Sequence, residues 1–342
     1  MATRNHNRRF SFSFYLPVLS VLICVHPWFQ PPALAQEEGA REIAVNLAEG
    51  RVVICAAKDG IIVATIGEHG ELGSRSPAVS SLSPLRAGVM LGAVEWVQPE
   101  SSDKPIRLDT ELPGIVAPLL NTSGQPKYSD AASDIEQIGV AVLERIRQVA
   151  GLLHNKIKMG EDEPLIRIVL AGYVPDYGPE VWTIDYRIAQ DALGNDIWRT
   201  RVLRPSYSQI YPPEKGKPHT LVEVRYPPSN RAKDAPELID LLRQNDPRLA
   251  KVRAANEIVG KSVAMVVDGQ SQKSTAAPDI DFLRGALPAI TSPETKLTMA
   301  LVDYDKGFRY VLAPPAEDRA PVDTKPREPG APTLRRKSDS DK

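Results

Sequence analysis

Residues 164–187 read PLIRIVLAGYVPDYGPEVWTIDYR, two apolar, β-rich runs joined by a connection that is rich in Gly, Pro and Asp. Because β-branched and aromatic residues favour strands, while Gly, Pro and Asp set turn dihedrals, the two runs are predicted to pair as a β-hairpin. The first run is almost continuously apolar, which is typical of a strand covered on both faces. An isolated hairpin is only marginally stable, so this one is predicted to lie at the centre of a layered fold.

Two further hairpins are predicted, one near each end of the folded region. Residues 51–57 and 61–66 are short β-rich runs on either side of a Lys-Asp-Gly turn, and residues 296–304 and 308–312 flank an Asp-Lys-Gly turn. Between them, the apolar run that contains Gly92 is predicted to be either a strand pair or one strand bent at that glycine.

The clearest helix is predicted to begin at Ser133, which has capping-box spacing to Glu136. Apolar residues then recur every three or four positions as far as Leu153, which gives one apolar stripe opposite a charged face. Residues 236–259 are predicted to form one helix broken near Pro247 or two short helices. The other assignments are strands at 197–203 and 220–226, a helix at 280–289, a strand or helix end at 261–268, and a surface insertion at 101–127.

The order of these elements is strands, helix, strands, helices, strands, which predicts a layered α+β fold. Residues 1–35 are interpreted as a secretory signal peptide, because Arg residues precede an apolar run and the segment ends in Ala33-Leu34-Ala35. A twin-arginine signal and a lipid-attachment site at Cys24 are the weaker alternatives. Residues 36–312 form the folded domain, and residues 313–342, a tail of Pro and charged residues, are predicted to be disordered.

Removal of the signal peptide takes away three Arg and no acid, so the formal net charge would fall by three, from −1 to −4. A chain with this charge has no strongly basic face for nucleic acid. No later apolar run is long enough to span a bilayer, so the predicted location is the periplasm or the extracellular space. Cys55 would be the one remaining Cys, which excludes an internal disulfide. No cofactor is predicted.

Five stretches resemble proteasome-type subunits, which belong to the N-terminal nucleophile hydrolase superfamily. They are the hairpin at 52–64, the strand at 87–93, the helix from Ser133, the central hairpin with Ala171-Gly172-Tyr173 and Gly178-Pro179, and the last strand pair at 299–309. Over about residues 41–313, the order of the predicted strands and helices also resembles that of the family. The resemblance implies a four-layer αββα sandwich, in which two antiparallel sheets lie between helical layers.

Active members of that family use an N-terminal Thr whose own amine serves as the base, assisted by an acid and a Lys. Counting back from the first turn puts the nucleophile position near Gly50, and residues 36–55 contain no Ser or Thr. The acid position falls at about Ile66 and the Lys position near Leu82, and neither side chain ionises. The resemblance therefore implies a non-catalytic member, comparable to the structural subunits of proteasome rings.

Cys55 is the one candidate nucleophile, since some relatives in the superfamily use an N-terminal Cys. Its neighbours Val53, Ile54 and Ala56 are typical of a core strand, where a Cys behaves as a small inert hydrophobe. Ser101 and Lys104 match the S-x-x-K spacing of acyl-serine enzymes, but the sequence lacks the other motifs of that class. His69, although it has acidic neighbours, lacks a second ligand cluster, so no metal site is predicted.

Aromatic residues are concentrated between positions 173 and 226. Such side chains in Pro-rich loops either anchor a peptide, glycan or partner subunit, or cover the edges of a core. The candidate binding residues are Tyr173, Tyr177, Trp182, Tyr207 and Tyr211.

The sequence thus predicts an exported, non-catalytic protein that acts as a scaffold or self-assembling subunit, with a second copy of itself as the suggested partner. The alternatives are a cysteine amide hydrolase that uses Cys55 after self-processing, and a secreted binding module with an aromatic loop surface.

Overall fold

Antiparallel strands are the main elements among the residues that this computed structural model describes. The structure describes residues 44–57, 59–67, 75–97, 104–120, 128–151, 156–157, 163–174, 178–194, 197–212, 221–227, 237–243, 246–255, 276–293 and 295–315. The strands in these residues are β1 (Ala44–Ala48), β2 (Gly50–Ala56), β3 (Gly60–Gly67), β4 (Val79–Ser83), β5 (Arg86–Val97), β6 (Ile106–Arg107), β7 (Ile166–Val174), β8 (Gly178–Tyr186), β9 (Ile188–Gly194), β10 (Ile197–Val202), β11 (Ser206–Tyr211), β12 (Leu221–Tyr226), β13 (Leu297–Asp303) and β14 (Gly307–Leu312).

The described helices are fewer and, apart from two, short. The long ones are α2 (Tyr128–Ala150) and α5 (Ala276–Ile290). The others are α1 (Leu108–Val116), α3 (Leu238–Arg243) and α4 (Ala250–Ala255), the last of which follows a 3₁₀ turn at Pro247–Leu249.

The strands form three sheets, and every strand pairing within them is antiparallel. The first sheet has the order β1-β5-β7-β8-β11, with β4 and β6 also paired to β5. The second has the order β12-β2-β3-β13-β14, and the third consists of β9 and β10 alone. The hairpin predicted from residues 164–187 is confirmed, since β7 and β8 pair from Ile166 opposite Tyr186 to Val174 opposite Gly178.

Both faces of the central strands are buried, as their continuous apolar runs predicted. On β2, Val52 and Ile54 belong to an apolar cluster that also contains Val89 of β5 and Val169 of β7, so this cluster lies between the two larger sheets. Val53, on the opposite face of β2, joins a second cluster with side chains of α3 and α5. A third cluster joins the other face of β5, β7 and β8 to α1 and α2.

The predicted fold class is corrected by this architecture. The sequence suggested α+β, and the resemblance implied a four-layer αββα sandwich with two sheets. The protein is instead mostly β, with three antiparallel sheets and few helices in the described residues. The sequence interpretation missed β4 (VSSLS), β9 (IAQDALG) and β11 (SYSQIY), because these strands form by pairing with neighbours and carry little apolar patterning.

Two local predictions were also wrong. The long helix is already formed at Tyr128, five residues before the predicted Ser133 cap. The supposed surface insertion at 101–127 contains α1, whose Leu108 and Leu112 are buried. By contrast, Gly92 bends one continuous strand, as one of the two readings predicted, with a φ of +90° that favours glycine.

The remaining assignments either agree with the structure or lie beyond its described part. The strands at 197–203 and 220–226, the closing hairpin, the broken helix around Pro247 and the helix at 280–289 are confirmed. The signal peptide, residues 261–268, and the tail from 316 onward lie outside the described residues. No helix that the structure describes is long and apolar enough to cross a membrane.

Candidate interaction site

The predicted nucleophile position, Gly50, is packed too closely to carry a side chain. It follows β1 of the first sheet and begins β2 of the second, so the backbone crosses from one sheet to the other here. Its φ is +153°, and a Cβ at this position would overlap the carbonyl oxygen of Ile66. The predicted acid and Lys positions, Ile66 and Leu82, are themselves buried within apolar clusters. A hydroxyl nucleophile therefore does not fit where the resemblance would place it.

Cys55 is fully buried near the end of β2. It pairs with Ile62 of β3 on one side and with Leu221 of β12 on the other, and it belongs to the apolar cluster around α3 and α5. A cut between Ile54 and Cys55 would detach β1 and most of β2 from these pairings. The backbone at Cys55 is thus held in the centre of a sheet.

The aromatic candidates do not lie together on one surface. Trp182 and Tyr207 pack against the cluster under α2, and the Tyr207 hydroxyl donates to the carbonyl of Glu136 at 3.4 Å. Tyr211 and Tyr173 pack instead with the cluster between the two larger sheets. Tyr177 lies outside the described residues.

Burial is the main cause of the raised pKa of both Tyr207 and Tyr173. For Tyr207 the nearby Glu136 carboxylate adds to the rise, and for Tyr173 the nearby Asp59 does the same. The Tyr173 ring also contacts the ring of Tyr304, with centroids 4.9 Å apart. Both hydroxyls therefore stay protonated at neutral pH, and neither can serve as a general base there.

The strands β9 and β10 form a feature that the aromatic pattern alone did not indicate. They continue the β8–β11 hairpin beyond the first sheet as a separate two-stranded sheet, and the Leu203 amide donates to the Arg187 carbonyl at 2.8 Å where the two parts meet. We call residues 187–204 the interaction arm. The tip exposes apolar side chains: Leu193 is 64% exposed and Ile197 is 43% exposed.

One face of the interaction arm is basic and open to solvent. In the register of the pair, Arg199 lies opposite Asp191, and Arg201 lies opposite Ala189 on the same face. The Arg201 Nε donates to the Asp191 carboxylate at 3.0 Å. Arg187 and Leu203 are also exposed where the arm begins and ends. We call this side of the arm its outer face.

The opposite, inner face holds the arm against the rest of the protein. Gln190 accepts a hydrogen bond from the Ile157 amide at 3.0 Å and donates to the Thr200 hydroxyl at 2.8 Å. The ammonium group of Lys156 lies 4.7 Å from the centre of the Trp198 ring. Beside these contacts lies an open cavity of about 520 Å³, lined by Arg147, Ala150 and residues 200–204.

A sequence signal for the arm exists. Gly194-Asn195-Asp196 is a turn sequence between two runs that can form strands, IAQDA and IWRTRV. The second run was predicted as a strand, whereas the polar first run was not. Asp191, in the polar first run, is the ion-pair partner of Arg201 within the arm.

The described residues contain no group of three or more His, Cys, Asp and Glu side chains that could hold a metal ion. Asp185, on strand β8 of the central hairpin, accepts two hydrogen bonds from Arg167, each of 2.7 Å. His69 and its acidic neighbours lie outside the described residues.

No protein-family model matches this chain. A comparison with curated proteins likewise finds no significant match.

Proposed function

We propose that the mature chain is an exported, non-catalytic protein that acts as a scaffold by assembling with further copies of itself. The observation that carries this proposal is the interaction arm, which is fixed along its inner face and presents Leu193 and Ile197 to solvent. Large apolar side chains at the tip of a projecting hairpin are exposed at a free-energy cost, and a partner that covers them removes that cost. The resemblance to proteasome-type subunits also supports self-assembly, because those subunits form rings.

The non-catalytic part is supported by Gly50 and Cys55. At Gly50 there is no room for a nucleophilic side chain, and Cys55 is enclosed in an apolar cluster within a sheet. A substrate cannot reach a thiol that is enclosed in this way, so Cys55 is poorly placed to act as a nucleophile. These two positions count against both the threonine mechanism and the cysteine alternative.

The binding-module alternative is less well supported, because its aromatic residues are divided between two sides of the first sheet. A ligand that contacts Trp182 and Tyr207 lies on the α2 side, away from Tyr173 and Tyr211. The interaction arm, in contrast, presents its exposed groups together.

Two measurements test the proposal. The intact mass of the exported protein gives its N-terminus: we expect a chain that begins at Gln36, whereas a chain that begins at Cys55 would overturn the non-catalytic part. Mass photometry of that protein is expected to show oligomers that increase with concentration up to the micromolar range. A monomer throughout that range would overturn the assembly part.

A further inference from the structure

The α2 helix carries an exposed stripe with the opposite character to the interaction arm. Val140 at its centre is an apolar residue that is 51% exposed. Glu136 and Glu144 are also exposed and lie one turn before and one turn after it, so the three side chains share one face. We call Glu136, Val140 and Glu144 the acidic stripe.

The charges of the acidic stripe and of the outer face of the arm are complementary. The stripe has two carboxylates around an apolar centre, and neither forms an ion pair with another described residue. The outer face has Arg187, Arg199 and Arg201 against one carboxylate, that of Asp191. Each surface therefore combines net charge of one sign with an exposed apolar side chain, which is what two surfaces need to recognise each other.

The outer face of the arm does not contact the acidic stripe of its own chain. Its contacts with the C-terminal end of α2 involve the other side: Arg147 donates to the Val202 carbonyl at 3.5 Å, and Val202 pairs with Ile188 on the inner face. Because successive residues of a strand point to opposite faces, the outer face is turned away from α2. A second molecule is required to bring the two surfaces together.

We propose that the outer face of the interaction arm of one copy docks on the acidic stripe of a second copy. This inference rests on the proposed self-assembly and specifies its surface. Arg199 and Arg201 then lie against Glu136 and Glu144, and Leu193 is covered near Val140. Since two different surfaces of the chain meet, the interface is heterologous, and repetition of it gives a ring if the rotation closes and a filament if it does not.

Charge exchange between the two surfaces tests the proposal. The first variant, Arg187→Glu/Asp191→Arg/Arg199→Glu/Arg201→Glu, changes the formal charge of these four outer-face residues from +2 to −2 and keeps an opposite-charge pair within the arm. The second, Glu136→Lys/Glu144→Lys, makes the stripe basic. Each variant alone is expected to assemble at least about tenfold more weakly than the wild type, because like charges then face each other.

The decisive sample is an equimolar mixture of the two variants. In the mixture the acidic arm of the first variant meets the basic stripe of the second, and the basic arm of the second meets the acidic stripe of the first. Assembly is expected to return in the mixture, and also in the single chain that carries all six substitutions. The matched control is Asp281→Lys/Arg284→Glu, which exchanges two exposed charges on α5 and is expected to leave assembly unchanged.

The outcomes separate this inference from the proposed function. A wild type that is monomeric overturns both. A wild type that assembles while both variants assemble equally well, or while the mixture fails to recover, overturns the docking surface and leaves self-assembly standing. Circular dichroism of each variant, compared with the wild type, excludes loss of the fold as the cause of weaker assembly.

Discussion

Arg86 and Glu180 form a buried ion pair across Gly172. The three residues lie side by side on β5, β7 and β8, and the Nη2 atom of Arg86 is 3.2 Å from the Oε1 atom of Glu180. Only 4% of Arg86 and 3% of Glu180 is exposed. Because Gly172 has no side chain, the two long side chains meet above it, where Trp182 also donates to Glu180 at 3.2 Å.

Replacement of one member of this pair is expected to lower the stability of the folded protein. Glu180→Gln leaves the Arg86 charge buried without its nearest counter-ion, since Asp134 is farther away at 3.8 Å. We expect the free energy of unfolding, measured by urea denaturation, to fall by about 3–5 kcal/mol. The double variant Arg86→Met/Glu180→Leu removes both charges and is expected to recover most of that loss.

An exposed ion pair provides the control. Arg309 pairs with Asp303 at 3.3 Å on the β13–β14 hairpin, and its side chain is largely open to solvent. Arg309→Gln is expected to change the free energy of unfolding by less than about 1 kcal/mol. Equal losses for Glu180→Gln and Arg309→Gln would contradict the idea that burial makes the Arg86–Glu180 pair important.

Gly50→Ala is expected to destabilise the protein strongly. The added methyl group would overlap the Ile66 carbonyl oxygen, and the φ of +153° is itself unfavourable for alanine. We expect a loss of at least about 3 kcal/mol in the free energy of unfolding. Gly114→Ala is the matched control: it lies in α1 with open space around it, so the same change is expected to stabilise by up to about 1 kcal/mol.

A tolerated Gly50→Ala change would mean that the backbone between β1 and β2 can move away from Ile66. A nucleophilic side chain could then be accommodated at this position. The same denaturation experiment therefore tests a stability claim and one support of the proposed function.

The sequence was sufficient for the parts of the fold whose apolar pattern is continuous. The central hairpin, the β2–β3 hairpin and the closing hairpin were all recognised, because buried strands with Gly-containing turns leave a strong local signal. The strands β4, β9 and β11 were missed, since their Ser, Gln and Asp residues resemble a loop. They are defined as strands by their pairing with β5, β10 and β8, and the local composition does not record that pairing.

The candidate site was predictable only in part. Strand β10 was found, but the arm that it forms with β9 was not, because exposed strands lack the apolar alternation used to identify a strand. Likewise the aromatic residues are clustered in sequence yet lie on opposite faces of the first sheet. On β11, Tyr207 and Tyr211 are separated in this way because the pairing register shifts between Gln209 and Tyr211. Proximity in sequence was therefore a poor guide to a shared surface.

Tyr186 is expected to make stability depend on alkaline pH. It is fully buried, and burial, with a smaller contribution from Tyr207, holds its pKa well above the ordinary value. Below about pH 10 the phenol is protonated in both the folded and the unfolded chain, so stability is unaffected. Above that pH the unfolded chain loses the proton while the folded chain keeps it, so the free energy of unfolding falls.

Tyr186→Phe removes this titration together with the hydrogen bond of 3.1 Å to the Gly139 carbonyl. We expect the variant to be less stable than the wild type by about 1 kcal/mol at pH 7, and this difference to shrink or reverse as pH rises above about 10. Urea denaturation at pH 7, 9 and 10.5 measures both effects. A difference that stays constant over this range would show that Tyr186 ionises as readily in the folded chain as in the unfolded one.

Cys55 is expected to react with thiol reagents only when the protein unfolds. Its side chain is fully buried, within a strand that is paired on both sides, so a reagent cannot reach the thiol in the folded chain. In the chain from Gln36 onward Cys55 is the only Cys, which allows labelling by a disulfide reagent to be read directly. Labelling is expected to be far slower in buffer than in urea, and to accelerate in Gly50→Ala.

The control, Cys55→Ala/Ser208→Cys, places the one thiol at an exposed position of β11 and should react at once. Fast and complete labelling of native Cys55 would contradict its burial and favour the cysteine hydrolase.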